Sequence, residues 1–220
     1  MAATDYPPNR LETAKSAAEQ LLPGLEPEDY AGVVTFEAGA MSSAYLSPEH
    51  ERVIAKLMAI RLKDGPTALG DGLALAVDMA DAIPNRKKVV VLLSDGVNNA
   101  GVISPTEAAV FAVEREVRVY TIGLGSTGAV RIGTGEDGAA QYADLDEATL
   151  KEIAEETGGA YFRSVDGATL KEIYAALPGE IKREPEETGI EAVFSVAAVL
   201  VLLVQCWLRY GRGRIQPDIR

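Results

Sequence analysis

The stretch Lys87 to Gly101, KKVVVLLSDGVNNAG, decides how the rest of the chain is read. Val89, Val90, Val91, Leu92 and Leu93 form an unbroken apolar run, rich in β-branched residues and short for a helix. It reads as a strand buried on both faces, and such a strand needs cover on each side. The run ends in Ser94-Asp95-Gly96 and a polar loop, Asn98-Asn99-Ala100-Gly101. A carboxylate therefore stands at the carboxyl end of a central strand, the edge at which open α/β sheets bind ligands. Ser104-Pro105-Thr106-Glu107 then supplies a capping Ser, a Pro at the first helical position and a Glu three residues after the cap, so a helix starts there.

Working outward, strands alternate with helices. On the amino-terminal side, Asn9 and Glu12 cap a helix reaching Leu22, with Leu11, Ala14, Ala18 and Leu21 on one apolar face. Ala31 to Phe36 reads as a strand paired in a hairpin with Ala40 to Leu46. Ser47-Pro48-Glu49 opens a second helix with a core stripe of Val53, Ile54, Leu57 and Met58. After the turn Asp64-Gly65-Pro66-Thr67, a third helix from Leu69 turns Leu73, Ala76, Val77 and Ala80 inward. On the carboxyl-terminal side come a strand at Val117 to Ile122 and a long Gly-rich loop, Gly123 to Gln141. Asp146 then caps a helix with Leu150, Ile153 and Ala154 inside, Ala160 to Arg163 forms a last strand, and Asp166 caps a helix through Leu177. This alternation implies a Rossmann-like, doubly wound α/β fold with a mostly parallel sheet.

The chain has 220 residues, 47% of them hydrophobic, and a formal charge of −12. That charge argues against nucleic acid or an anionic lipid surface as a partner and favours divalent cations or basic proteins. The single cysteine, Cys206, excludes an intrachain disulfide and a Cys-based metal cluster. Pro178 to Glu191 reads as an acidic linker, and its Glu184 to Glu191 cluster as a solvated spacer. From Ala192 to Leu208 there are 17 residues without a charge. At ~1.5 Å per residue they span roughly 25 Å, and Trp207, Arg209 and Tyr210 extend the reach toward a hydrocarbon core of about 30 Å. The expected organisation is a domain over 1–177, a linker over 178–191, a transmembrane helix over 192–210 and a basic tail over 211–220.

Four features are candidates for chemistry. Thr67 and Asp95 both fall at the same edge of the expected sheet and offer hard oxygen ligands of the kind magnesium prefers. Asp71 either approaches that edge or caps the first turn of its own helix. Gly123-Leu124-Gly125-Ser126-Thr127-Gly128 matches G-x-G-x-x-G, but the dinucleotide reading requires a helix to follow at once, and the chain continues with polar and Gly residues instead. His50, the only histidine, reads as a solvated surface residue, so no Ser or Cys nucleophile has a second histidine to serve as its base.

GPTALGDGLALAV from Gly65, KKVVVLLSDGVNNAG, VRVYTIGLG from Val117 and LKEIAEETGGAYFRS from Leu150 together resemble a von Willebrand factor A (VWA) domain, closest to the bacterial membrane-anchored Bat aerotolerance type. Pro8 to Glu12 and Asp166 to Tyr174 fit the same pattern. The resemblance implies a metal-ion-dependent adhesion site (MIDAS) with Thr67 as a direct hydroxyl ligand and Asp95 as a direct or water-mediated one. The ion, Mg2+ or another divalent cation, would take a carboxylate from a partner protein. That is binding, not catalysis. The pattern also places an Asp-x-Ser-x-Ser segment and a central strand ahead of Met1, so the chain reads as truncated at its amino terminus. An apolar slot is then expected between Ala31 to Phe36 and Val89 to Leu93, with poor folding and weak metal binding as consequences.

The expected function is a metal-dependent adhesion or scaffold module in a bacterial inner-membrane complex. Its implied partners are other membrane proteins, related VWA proteins and a MoxR-type AAA ATPase. Arginines after the span and acids before it favour an exported domain and a cytoplasmic carboxyl terminus. The rival expectation is a nucleotide- or phosphate-using α/β enzyme that employs Asp95 and the Gly123 loop, and a third is a degenerate fragment without a metal site.

Overall fold

A computed structural model describes residues 1, 6–61, 65–95, 97–125, 130–134, 140–143, 145–183, 202 and 205. The chain divides into two units, Met1–Ile181 and Lys182–Arg220, and the second lies almost wholly outside the described residues. The first is built as α1 (Arg10–Ala18), β1 (Ala31–Phe36), β2 (Ala40–Ser47), α2 (His50–Ala59), α3 (Leu69–Asp81), β3 (Lys88–Ser94), α4 (Pro105–Glu114), β4 (Val117–Leu124), β5 (Val130–Thr134), β6 (Ala140–Ala143), α5 (Glu147–Glu156), β7 (Tyr161–Ser164) and α6 (Gly167–Arg183).

The strands form a parallel sheet in the order β3-β4-β7 and two antiparallel hairpins, β1-β2 and β5-β6. Period-two alternation along β3 and β4 sorts the core into two layers. Val117 and Val119 of β4 join Val90 and Leu92 of β3 against α3, α4 and α5. Tyr120, Ile122 and Leu124 join Val89, Val91 and Leu93 on the other face against α1 and α6. Thr121, on the first face, satisfies its buried hydroxyl by donating to the Leu150 carbonyl at 2.8 Å. The helices that the sequence starts with caps do start there. Ser104 and Glu107 form a reciprocal capping box on α4, and Asp146 accepts from the Thr149 amide on α5.

Several expectations are corrected. Gly123 to Gln141 is not a continuous loop, because the short segments VRIGT and AQYA pair as the β5-β6 hairpin. The α1 helix ends at Ala18 rather than Leu22, and Leu22–Gly24 tightens into a 3₁₀ turn over Pro23. Of the stripe assigned to α2, only Val53 is buried, and Met58 is exposed. The last helix passes Pro178 and runs to Arg183, not Leu177. The β3 run, expected to be covered on both sides, is buried only at Leu92 and Ser94. Among the described residues no strand pairs with the edge of β3 away from β4, or with the edge of β1 away from β2. A cavity of about 470 Å³ lies between these edges. The apolar run 192–208 lies outside the described residues apart from positions 202 and 205, and among the described residues no helix is long and apolar enough to cross a membrane.

Candidate functional site

The carboxyl end of β3 and the turn leading into α3 meet at one rim, stitched by side-chain amides. The Asn99 carboxamide oxygen accepts from the Thr67 amide at 2.6 Å, and the Thr67 carbonyl accepts from the Asn99 and Ala100 amides at 3.0 and 3.1 Å. Ala68 stands at the amino-terminal cap position of α3 and has no side chain to offer, so Asn98 does the capping from across the rim. Its carboxamide oxygen accepts from the Leu69 amide at 2.8 Å and the Gly70 amide at 3.4 Å. The Ala68 amide donates to the Glu37 carbonyl at 2.7 Å, which brings the end of β1 to the same rim.

Asp71 clamps the far side of the loop. Its Oδ1 accepts from the Val102 and Ile103 amides at 2.9 and 2.8 Å, so it organises the 97–103 segment rather than joining Thr67 and Asp95. Two glycines make this approach possible. A Cβ on Gly70 would lie 2.0 Å from the Ile103 carbonyl oxygen, and Gly101 takes a φ of +97°, where other residues are strained.

Thr67 and Asp95 both line the mouth of the cavity at this rim. Asp95 is not a bare carboxylate. Its Oδ2 meets the Met1 ammonium, and the Arg10 Nη1 stands 3.4 Å away on a side chain 2% exposed. Arg10 also stacks over the Tyr6 ring, 5.9 Å from its centroid. Magnesium asks for near-octahedral oxygen coordination. Thr67 and Asp95 by themselves supply one hydroxyl and one carboxylate, fewer oxygens than that coordination takes, and the Arg10 guanidinium stands beside the carboxylate. Among the described residues no group of three or more His, Cys, Asp or Glu side chains is placed to hold a metal.

The remaining candidates fall elsewhere. Gly123 and Leu124 end β4, and beyond Ser126–Ala129, which lie outside the described residues, the chain resumes as strand β5. The G-x-G-x-x-G match therefore does not lead into the helix amino terminus that a pyrophosphate requires. His50 is half-buried rather than solvated, with Nε2 2.8 Å from the Asp29 carbonyl, and it pins the start of α2. The sequence reading missed Asn98, Asn99 and Arg10. The available signal for Asn98 was a helix opening on Ala-Leu-Gly with no capping residue of its own, which must borrow a cap from another segment.

The von Willebrand factor type A domain pattern matches residues 1–98. A UPF0353 protein of Mycolicibacterium paratuberculosis is 29% identical over 220 residues, which cover 92% of this chain, and this chain spans 63% of that relative's length. An aerotolerance-related membrane protein from Bacteroides fragilis superposes with a TM-score of 0.74 at 25% identity, covering 84% of this chain and 94% of that one. The protein BatB from Bacteroides thetaiotaomicron superposes at 0.72 with 23% identity and the same coverage, a likeness of fold. One more distant structure of the same fold, the mussel proximal thread matrix protein 1, has zinc in its MIDAS motif, with 20% identity, a TM-score of 0.59, and coverage of 78% of this chain and 42% of that one.

Proposed function

We propose that the chain, whose residues 1–98 match the von Willebrand factor type A domain pattern, serves as a membrane-associated protein-recognition module rather than an enzyme, engaging its partner at the rim formed by Thr67, Asp95 and the 97–103 loop. The observation that carries this reading is the way that loop is built. Its backbone is tied down from beneath by Asp71 and by the exchange between Asn99 and Thr67, while Val97, Val102 and Ile103 point outward, with Val102 95% exposed. Aliphatic side chains held in water on a fixed backbone cost little further ordering when a partner covers them. The polar groups beside them, Thr67 and the partly exposed Asp95, supply orientation.

Recognition in this proposal runs through direct apolar and hydrogen-bonded contacts, with Asp95 held beside the Arg10 guanidinium. The partners we propose are other membrane proteins, among them related VWA proteins and a MoxR-type AAA ATPase. The apolar run 192–208 is proposed as an inner-membrane anchor, with the folded unit exported and the carboxyl terminus cytoplasmic. Protease protection in membrane vesicles distinguishes that orientation from its reverse. The nucleotide-using alternative draws no support from a G-x-G-x-x-G segment that leads into a strand.

Photocrosslinking from position 102 in native membranes tests the rim. The expected result is a discrete adduct that Val97→Asp abolishes and that a crosslinker at the exposed Glu114, on α4, does not form. Equal labelling from positions 102 and 114 would remove the basis for a recognition surface at the rim.

A further inference from the structure

Among the described residues Arg10 is the largest fully buried side chain, and two features of its position work against stability. It is the first residue of α1, where the unpaired amides of the helix already carry partial positive charge, so an acidic side chain suits the place better than a cation. Its guanidinium has also left water, a cost that only opposite charge and well-placed acceptors offset. A residue set against both local preference and solvation marks a place where function outweighs stability. The surroundings of Arg10 run across the carboxyl edge of the parallel sheet. Tyr6, 0% exposed, donates its hydroxyl to the Ser164 carbonyl at 2.6 Å, at the end of β7. The guanidinium of Arg10 stands over the Tyr6 ring, 5.9 Å from its centroid. Arg10 Nη1 then lies 3.4 Å from Oδ2 of Asp95, just past the end of β3. Ser164, Tyr6, Arg10 and Asp95 thus join the two outer strands of the β3-β4-β7 sheet around the end of β4. The Arg10 side chain is 2% exposed and that of Asp95 18%, so a partner at the rim reaches the carboxylate and not the guanidinium.

We propose that Arg10 is a positioning residue for recognition at the rim: it holds Oδ2 of Asp95 inward and so turns Oδ1 outward, as the atom that meets the partner. The role of Arg10 therefore rests on recognition taking place at that rim, and it names the group that aims it. An ionised carboxylate offers acceptors only, so the chemistry that fits Oδ1 is a hydrogen-bond donor or a cation. A carboxylate already held in one orientation loses less freedom when it is engaged than one that swings. The effect of Arg10 is then felt in binding more than in folding, which separates a positioning residue from a packing one.

The test uses the full chain in native membranes, with the photocrosslinker at position 102 and thermal unfolding followed in parallel. The variants are Arg10→Met, Arg10→Lys, Asp95→Asn and the Arg10→Met/Asp95→Asn pair. Arg10→Met keeps the stem and removes the charge. It is expected to lower the yield of the adduct roughly tenfold, the scale of one charge-assisted hydrogen bond. Its unfolding midpoint is expected to hold, because the desolvation cost leaves with the charge and Asp95 still touches water. Arg10→Lys keeps a charge beside Asp95 and is expected to fold and to label more than Asp95→Asn, which decides the matter where the Met variant does not fold. The double variant is expected to label no less than either single one, because the two residues act as a unit. Full labelling by Arg10→Met overturns the proposal, and so does a loss of labelling that tracks a lowered unfolding midpoint. Losses that multiply in the double variant, or Arg10→Lys labelling no better than Asp95→Asn, overturn it as well. An adduct missing from the unsubstituted chain is a different failure, since it defeats recognition at the rim and the role of Arg10 falls with it.

Discussion

Strands β3 and β4 lie side by side in perfect parallel register, from Lys88 opposite Val117 to Ser94 opposite Gly123, yet their environments differ sharply. β3 carries the longer unbroken apolar run, but β4 is the buried one. Seven of the eight β4 residues are buried, and only two of the seven in β3. The difference lies in their neighbours. β4 has β3 on one edge and β7 on the other, whereas among the described residues β3 has β4 on one edge and the cavity on the other. A strand's own hydrophobicity states what it can bury, and its partners decide what it does bury.

The largest expected effect tests that contrast directly. Ile122→Ala in β4 removes a side chain 0% exposed and opens a cavity that close-packed neighbours cannot fill, so it should cost about 2–5 kcal/mol. Val91→Ala in β3 removes a half-buried side chain that already borders empty space, and it should cost about 1 kcal/mol or less. Chemical denaturation of both variants measures the gap. Equal losses would mean that the open flank is packed as tightly as the closed one, and the contrast would fail.

The same contrast explains what the sequence alone could disclose. Patterns that are local were legible: the capping box Ser104-Pro105-Thr106-Glu107, the cap at Asp146, and the alternation that sends Val119 to one layer and Tyr120 to the other. The Thr67 and Asp95 edge was also legible, because a carboxylate after a central strand and a hydroxyl before a helix fall at the same end of any parallel sheet. What escaped depends on pairs distant in sequence. Nothing in the order of residues states that Arg10 reaches Asp95, or that Asn98 caps a helix that begins 29 positions earlier. The β5-β6 hairpin escaped for another reason: its strands are only five and four residues long, in a Gly-rich stretch that reads equally well as a loop.

The rim sharpens the comparison at intermediate scale, since it joins the open flank to the closed one. Asn98 is the side chain that does so, capping α3 from the loop that follows β3. Asn98→Ala should cost about 1 kcal/mol, the usual consequence of losing a helix cap. It should also speed amide exchange at Leu69 and Gly70 while leaving the exchange of β4 unchanged. If β4 loosens as well, the rim and the closed flank are one cooperative unit, and the division between the two regions is less sharp than their burial suggests.

The smallest expected effect lies at the opposite, amino end of β3. There Asp81, at the end of α3, accepts from Lys88 Nζ at 2.6 Å and from Arg115 Nη1 at 2.7 Å, tying α3, β3 and α4 together. Hydrogen bonds from Lys88 and then Arg115 hold its carboxyl below the ordinary value of 3.8. A depressed folded-state value means that the folded chain binds this proton more weakly than the unfolded chain does. The stabilisation is therefore fully present above the unfolded value and is lost as pH falls through the folded one. Asp81→Asn should lower the unfolding midpoint by a small, constant amount at neutral pH. That gap should close as the pH drops below about 4, because the wild-type carboxylate is then protonated too. Solvent screening keeps the effect modest at so accessible a site. A gap that persists undiminished in acid would show that Asp81 works through shape and neutral hydrogen bonding rather than through its charge, and the amino-end tie would then be insensitive to pH.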